Sequence, residues 1–344
     1  MVRCRVHRRM HRRQEIVKVE IQKRPLDGGG VRLVGLCDGE ECGGLTALPL
    51  KVKLGGRVFK AWAGRDLEVD AAKRGSKLGL LLPEALWRES PQQVALCAAT
   101  SEKARPVYEF LGYSVFDLPQ FVVMWKSLWL LRGRNSAGLF KRIAAKCCDA
   151  VIGVYAVLLR VLMAMKLRGW RFEEIAGAPL SDCEAAAKIA AEDGRACAEV
   201  HDADWFRWAI EQGGCKLTFV RAAAEGGAPV GFVLTKRRVH ETFSRERFRD
   251  VAMGHVIEWG VVPACARREP WVVVHAAVAL RKTCDLVLTA TEGGSVASLL
   301  RRLGWRPMGN GNFVIRAGVD VGEVDWTQSR NWRLRGAMAD YPIV

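Results

Sequence analysis

A strand that leads through a basic glycine turn into an apolar helix is the feature of this sequence that most constrains its fold. Residues 65–69 (RDLEV) alternate polar and apolar side chains as a strand does, and an apolar run begins at Leu78. The turn and the helix start supply two cations and two glycines: Arg74, Gly75, Lys77 and Gly79. The first turn of a helix has N–H groups without intrahelical partners and a partial positive charge. The pattern therefore predicts a site for phosphate groups.

A second strand, loop and helix follow this unit closely. Residues 94–101 (VALCAATS) predict a strand, and residues 104–113 (ARPVYEFLGY) predict a short helix that stops at Gly112. Together the two units resemble motifs A and B of the GNAT superfamily of acetyl-CoA-dependent N-acyltransferases. In that family an Arg/Gln-x-x-Gly-x-Gly/Ala loop binds the pyrophosphate of coenzyme A. Arg74 and Gly79 match its first and last positions, while Lys77 replaces its middle glycine.

The resemblance implies which residues hold an acyl-CoA co-substrate. The backbone of the strand end would hydrogen-bond the pantetheine arm, and the glycine turn would bind the pyrophosphate. Ser101 replaces the asparagine usual in motif B, so it either contacts pantetheine or caps the helix. Arg105 either reaches the phosphates or forms a surface ion pair. The implied cofactor-binding residues are Leu67, Val69, Arg74, Gly75, Ser76, Lys77, Leu78, Gly79, Ser101 and Arg105.

Three side chains are candidates for the chemistry of acyl transfer. Tyr108 matches the tyrosine of motif B that commonly protonates the departing thiolate, and a phenol of pKa ~10 is close enough to a thiol of pKa ~8.5 for that transfer. The alternative for Tyr108 is packing beneath the sheet. Asp66 and Glu68 alternate along one strand, so we expect both carboxylates on one face. Either could accept the amine proton through water, or both could be ordinary surface carboxylates.

Charge and composition limit the class of protein. The 344 residues are 50% hydrophobic and 26% charged, which is typical of a globular chain of about two domains. The formal net charge is +16, and residues 1–24 alone hold nine Lys/Arg against two Glu. Such a segment is either a solvated disordered tail, which we favour, or an arm for nucleic acid or an anionic membrane. The positive remainder suits a polyanionic ligand such as acyl-CoA.

Several functions lack a signal in the sequence. Eleven cysteines occur without a C-x-x-C pair, and the histidines form no H-x-x-x-H pattern, so no metal site is predicted. The charged N-terminus has no apolar core after it, so we expect a cytoplasmic protein. Residues 150–165 are apolar except for Arg160. Because a spanning helix needs ~20 residues, we favour a buried or partner-facing helix there, with membrane-surface contact as the next alternative.

The second half of the chain repeats the plan of the first. Strands are predicted at 216–222, 229–234, 251–262 and 285–290, and helices at 271–281 and 295–303. Residues 263–271 have no glycine turn, so we expect no CoA site there. Glu258 would either face a shared cleft and bind the acceptor amine or pair with an arginine such as Arg238. Ser181 to Glu184 predicts a capping box.

These observations predict an α+β fold with two GNAT-like, mostly antiparallel sheets flanked by helices and joined by a helical connection. The layout resembles tandem GNAT-like proteins encoded with bacterial polysaccharide or cell-envelope genes. The predicted parts are a tail at 1–24, an acyl-CoA-binding domain at 25–125, a helical connection at 126–200, a degenerate second domain at 201–318 and a tail at 319–344.

The resemblance implies an N-acetyltransferase that moves an acetyl or similar acyl group from coenzyme A to an amine, an amino sugar being one candidate. The alternatives are an aminoacyl-tRNA-dependent transferase, whose tRNA the basic tail would hold, and a non-catalytic interaction protein that retains the fold.

Overall fold

The computed structural model describes residues 19–26, 29–74, 77–100, 102–131, 138–223, 227–243 and 248–336. Within these ranges, fourteen strands form one continuous mixed sheet, and seven α-helices lie against it. We call residues 19–131 the first half and residues 138–336 the second half. This is the α+β architecture that the sequence predicts.

The elements of the first half run from β1 to β6. The strands are β1 (Val19–Pro25), β2 (Val31–Cys37), β3 (Glu40–Leu54), β4 (Arg57–Val69), β5 (Val94–Thr100) and β6 (Ser114–Met124). The helices are α1 (Leu78–Glu89), between β4 and β5, and α2 (Arg105–Phe110), between β5 and β6.

The second half begins with a long helix. Its helices are α3 (Leu139–Lys166), α4 (Leu180–Ala191), α5 (Ala203–Glu211), α6 (Glu269–Leu280) and α7 (Gly294–Arg302). Its strands are β7 (Trp170–Glu174), β8 (Cys197–Glu199), β9 (Lys216–Ala222), β10 (Pro229–Phe243), β11 (Phe248–Val261), β12 (Leu286–Ala290), β13 (Arg306–Ala317) and β14 (Trp332–Arg333).

The two halves are joined by an exchange of strands at the centre of the sheet. The order is β1-β2-β3-β4-β5-β13-β6-β12-β11-β10-β9-β7. Strand β13, from the end of the second half, therefore lies between β5 and β6 of the first and pairs antiparallel with both. Strand β6 in turn pairs with β12. The halves thus share one sheet.

Local sequence accounts for the turn between β3 and β4. Gly55 and Gly56 have positive φ angles of 58° and 82° and close a hairpin between these two strands. The predicted strand at 65–69 is not separate but is the end of β4, which β3 pairs with from Arg57 to Val69 with one register shift.

Apolar side chains form a core on both faces of the sheet. One cluster joins residues of both halves, including Leu96, Leu288 and Phe313. A second lies under α3, α6 and α7, and a third packs α1 and α2 onto β2 to β5. The first cluster spans the boundary between the halves, so each half contributes to the packing of the other.

Four local predictions need correction. Residues 19–24, assigned to the tail, lie in β1, because they pair antiparallel with β2. The helical connection also contains β7 and β8. The capping box is wrong, since α4 begins after Pro179 and no side chain caps it. Part of the predicted C-terminal tail forms β14, which pairs with β8. Residues 1–18 of the basic tail and residues 337–344 lie outside the described residues.

Candidate functional site

The pairing of the parallel strands β4 and β5 stops before either strand ends. Their register runs from Trp62 opposite Ala95 to Gly64 opposite Cys97 and stops there. Strand β4 nevertheless continues to Val69 and β5 to Thr100. The backbone edge of residues 65–69 that faces β5 lies beyond the paired register, so a cleft opens between two strand ends.

A glycine and a bulge mark the place where the pairing of the two strands ends. An added Cβ on Gly64 would lie 2.6 Å from Cys97 Sγ, so no side chain fits at this last pair. Two residues further on, the regular course of β4 is interrupted, because Asp66 has a φ of +51° and the register with β3 shifts between Gly44 and Thr46. A bulge of this kind bends a strand away from its neighbour.

The N-terminus of α1 follows the end of β4 in the chain and packs over β2 and Val69 of β4. Leu78 in its first turn is fully buried, and Gly35 of β2 makes room for it, since a Cβ there would lie 2.3 Å from Leu78 Cδ2. The first intrahelical bonds run from Leu80 and Leu81 N–H to the Lys77 carbonyl, at 3.0 Å each. The N–H groups of Leu78 and Gly79 precede these bonds.

The surroundings of this helix start suit an anion. Arg74 and Lys77 are exposed, the first turn holds no acidic residue, and no side chain caps the helix. An added Cβ on Gly79 would meet no atom within 4 Å, so the space beside it is open. The predicted ligands Gly75, Ser76 and Ser101 lie outside the described residues.

The strand end carries its predicted residues in alternation. Leu67 and Val69 are half-buried and pack against the apolar cluster under α1. Asp66 and Glu68 are exposed, so both carboxylates are open to solvent. Their predicted role as a base remains a prediction.

Tyr108 lies inside the core of the first half. Its side chain is 2% exposed, contacts Tyr113 edge-on, and its hydroxyl donates to Cys97 Sγ at 3.4 Å. Burial raises the pKa of the phenol far above its ordinary value. The argument from matched phenol and thiol pKa values is therefore wrong for this arrangement, because a raised pKa makes Tyr108 a weaker acid. Its position nonetheless ties it to Cys97, where β4 and β5 part.

Arg105 is held by acidic neighbours at the surface. Its guanidinium forms ion pairs with Glu109 at 2.8 Å and with Asp117 at 3.2 Å. The two carboxylates offset the positive charge that Arg105 would offer to the CoA phosphates.

The second half has a matching pair of parallel strands, but chain fills its opening. The register of β11 and β12 ends at Val256 opposite Thr289. Beyond it, Thr291 bridges to Arg335, and Glu292 N–H donates to the Leu334 carbonyl at 3.0 Å. An added Cβ on Gly336 would lie 2.5 Å from the Val256 carbonyl oxygen. The segment 334–336 thus occupies the space between these strands.

A buried charge cluster fixes that segment in place. Arg335 contacts Glu269 at 2.6 Å, Asp193 at 3.1 Å and Glu258 at 3.2 Å. Glu258 also lies 3.1 Å from His201 and 3.8 Å from Arg333. The alternative that Glu258 pairs with an arginine is therefore confirmed, with Arg335 and Arg333 in place of Arg238, and the carboxylate does not face an open cleft. Sequence reasoning missed Arg333 and Arg335, although the alternation in WRLR (332–335) was a signal for a short strand.

A cavity of about 220 Å³ borders the charge cluster. Arg195, Glu269, Glu292 and Arg335 line it together with the N-terminus of α7. Burial raises the pKa of Glu292. The cavity is lined by both positive and negative side chains, so it does not indicate one class of ligand. Within the described residues, no group of three or more His, Cys, Asp or Glu is placed to hold a metal ion.

The fold resembles that of two kinds of solved structure, a GCN5-related N-acetyltransferase region and N-myristoyltransferases, which share the GNAT fold. No protein-family model matches the sequence, and no curated protein matches it.

Among individual structures, N-myristoyltransferase from Saccharomyces cerevisiae with bound myristoyl-CoA aligns with a TM-score of 0.52 at 11% identity. The alignment covers 83% of this chain and 65% of the yeast chain. The GCN5-related glucosamine N-acetyltransferase region of a fungal multi-domain GH3 β-N-acetylglucosaminidase gives 0.53 at 14% identity, covering 83% of this chain and 33% of that one. A GCN5-related N-acetyltransferase from Anabaena variabilis gives 0.48 at 11% identity, with 85% and 63% covered.

Proposed function

We propose that this chain is an acyl-CoA-dependent N-acyltransferase whose co-substrate binds in the opening between β4 and β5. The observation that carries the proposal is the contrast between the two openings. Strand β4 of the first leads into an uncapped, cation-flanked helix start, whereas residues 334–336 fill the second. One acyl-CoA therefore binds per chain, in the first half.

Different residues along the cleft would contact different parts of the co-substrate. The N–H groups of Leu78 and Gly79, with Arg74 and Lys77 beside them, receive the pyrophosphate. The backbone edge of Leu67 to Val69 bonds the pantetheine arm as an added strand would, and its N–H groups polarise the thioester oxygen. The fold neighbour from yeast was solved with myristoyl-CoA, which supports an acyl-CoA in this architecture.

The reaction then needs two proton transfers, one from the attacking amine and one to the departing thiolate. The amine nitrogen attacks the thioester carbonyl carbon, the carbon–sulfur bond breaks, and the thiolate leaves. Glu68 or Asp66 accepts the amine proton, directly or through water. Tyr108 supplies a proton to the thiolate only if binding exposes its hydroxyl, because in this structure the hydroxyl is bonded to Cys97.

The acceptor is an amine, and an amino sugar is the candidate that we propose to test first. The name of the fungal neighbour, a glucosamine N-acetyltransferase region, supports that choice. Acyl chains longer than acetyl belong in the same screen, since the yeast neighbour binds a myristoyl group. We also propose that the chain is a tandem GNAT-like protein and that it acts in the cytoplasm.

Calorimetric titration of acetyl-CoA into the full chain tests the proposal. We expect saturable micromolar binding, because a polyanion meets two cations and an uncapped helix N-terminus. The double variant Arg74→Glu/Gly79→Glu should abolish it by placing two carboxylates at the pyrophosphate. Arg88→Glu/Gly138→Glu, with the same charge change away from the cleft and at a glycine that also lacks a positive φ, is the matched control. If the wild-type protein bound no acetyl-CoA even at millimolar concentration, the proposal would be refuted, and the tRNA-dependent or non-catalytic alternatives would be favoured.

Turnover separates an enzyme from a protein that merely binds CoA. With acetyl-CoA and an amine acceptor, Glu68→Gln should lower kcat and leave the Kd for acetyl-CoA unchanged, as expected for a base. Tyr108→Phe should do the same if its hydroxyl protonates the thiolate. Binding without turnover for any amine would identify a non-catalytic protein that retains the fold.

A further inference from the structure

The long helix α3 carries one face into the core and leaves the opposite face uncovered. Ala156, Leu159 and Met163 belong to the apolar cluster that α3 forms with α6 and the adjacent strands. These three positions and Ala145 are buried at helical spacing. The helix is therefore docked along its length on the second half.

The outward face of α3 is apolar from end to end. Its residues recur at alternating spacings of four and three, which is one stripe of a helix: Phe140, Ala144, Cys147, Val151, Val154, Leu158, Val161 and Met165. All eight are exposed, Phe140 by 87% and Val151 by 70%. Ile143 and Val157 widen the stripe on one side. An exposed stripe of this length marks an interaction surface.

Cations surround this stripe, whereas acidic groups do not. Along α3 the charged residues are Lys141, Arg142, Lys146, Arg160 and Lys166 against the single Asp149. Asp149 lies toward the packed side, where its carboxylate accepts the Ser127 N–H. Within the described part of the chain, none of the five cations forms a salt bridge, so their charge is available to a partner.

A basic groove of about 400 Å³ lies next to the stripe. Four cations and one carboxylate line it with Trp125, so cations are in excess: Lys126, Arg160, Arg281 and Lys282 against Asp149. The guanidinium of Arg281 lies over the helix, since an added Cβ on Gly153 would be 3.7 Å from Arg281 Nη2. A phosphate group fits the chemistry of this groove, while the apolar stripe beside it suits hydrocarbon.

We propose that α3 lies in the plane of an anionic lipid bilayer, with its outward stripe among the acyl chains and the groove at the headgroups. An amphipathic helix of this kind inserts its apolar face about 5–10 Å deep, and basic residues add attraction to anionic lipids. This inference is independent of the proposed acyltransferase activity.

The charges and packing favour this occupant over two others. A second copy of the chain would bring the cations of α3 against the same cations, in either helix orientation, and like charges repel. A spanning arrangement satisfies the length and composition of α3, which could cross a bilayer on those grounds alone. It would, however, remove Ala156, Leu159 and Met163 from the core that they share with α6.

Vesicle flotation of the full-length protein tests the proposal. We expect binding to vesicles of phosphatidylcholine mixed with phosphatidylserine, weaker binding to phosphatidylcholine alone, and release as salt rises. Val154→Glu/Leu158→Glu should lower the partition coefficient at least about tenfold, because two apolar contacts become charges. Val58→Glu, which alters a 56% exposed valine on β4, should bind as the wild type does.

A second pair of variants tests the groove. Arg160→Glu/Lys282→Glu should lose binding to the anionic vesicles and keep the residual binding to neutral ones. Thermal unfolding of every variant checks that the fold is intact, as expected for side chains that face solvent. Equal binding of both vesicle types, unaffected by salt, would contradict the role of these cations.

A probe at the stripe reports its depth. In a Cys4→Ser/Cys147→Ser/Cys148→Ser background, Val154→Cys labelled with nitrobenzoxadiazole should shift its emission to the blue with anionic vesicles, whereas Val58→Cys should not. Three results would overturn the proposal: no vesicle binding by the wild type, resistance of bound protein to alkaline carbonate extraction, which indicates a spanning helix, or a dimer in solution that Val154→Glu/Leu158→Glu dissociates.

Discussion

Glu258 shows how strongly a single buried residue depends on its neighbours. Burial by itself would raise the pKa of this carboxyl, yet Arg333, His201 and Arg335 outweigh burial and lower the pKa to about 2. The same contact acts on the other partner: burial lowers the pKa of His201, but Glu258 and Glu199 raise it overall. The contact therefore favours the charged form of both groups.

We expect Glu258→Gln to lower the free energy of unfolding by about 3 kcal/mol at pH 7, since the variant leaves the two arginines and His201 buried without their carboxylate. A carboxyl whose folded pKa is depressed contributes stability above its unfolded pKa of 4.5 and loses it as pH falls towards 2. Urea unfolding should therefore show the difference between wild type and variant shrinking below pH 4.5.

Glu41→Gln is the matched control for this prediction, because Glu41 pairs with Arg24 at 2.8 Å on the exposed surface. Its effect should stay below about 1 kcal/mol. An equal effect of the two variants would mean that the buried cluster contributes no more than a surface pair.

Single residues were also where the sequence was least informative. The motif position of Tyr108 is visible in the sequence, but its burial against Cys97 depends on α1, α2 and β5 packing together. The partner of Glu258 was unpredictable for a similar reason. Arg335 is 77 residues away along the chain, and no local spacing marks such a contact.

At the scale of elements, the opening of β4 and β5 depends on one close approach. Gly64 lies at the last paired position, and its missing side chain is what lets Leu86 of α1 and Cys97 of β5 meet there. The packing of α1 on the sheet and the last pair before the cleft therefore both depend on Gly64.

We predict that Gly64→Ala destabilises the protein by about 1–3 kcal/mol, because the added Cβ would lie 2.5 Å from Leu86 Cδ2 and 2.6 Å from Cys97 Sγ. Gly79→Ala is the control, since its Cβ would meet nothing within 4 Å. Chemical denaturation of both variants checks this, and a Gly64→Ala protein as stable as the wild type would show that the strands can separate freely at this point.

Elements with a strong local pattern were predicted well. The strands β9, β10 and β12 all carry apolar or alternating runs that act over short distances. The capping box failed because Pro179 starts α4 two residues before Ser181, so that serine falls inside the helix. Strand β8 was missed because three residues give no periodicity.

On the scale of the whole molecule, the exchanged strand makes the two halves interdependent. Without β13, the edges of β5 and β6 would each lose a neighbour. The division at residues 125 and 201 came from sequence patterns that repeat within each half. Those patterns carry no information about which half a strand pairs with, so the exchange could not be predicted.

Scanning calorimetry of the full chain should show one unfolding transition, because neither half keeps its sheet when the other unfolds. A fragment of residues 1–131 should be unfolded or aggregated, since it lacks β13. Mixing it with residues 132–344 is the control and should restore soluble protein. Two separate transitions, or a folded fragment, would show that the halves are independent domains.

The position of β13 also determines when this protein can finish folding on the ribosome. Thr100 of β5 and its neighbour Asn312 of β13 are 212 residues apart in the chain. At typical translation rates the edges of β5 and β6 would wait roughly 10 to 40 s for that strand to be made. During that interval the nascent chain exposes two unpaired strand edges, so we expect chaperones that shield such edges to raise its yield in cells.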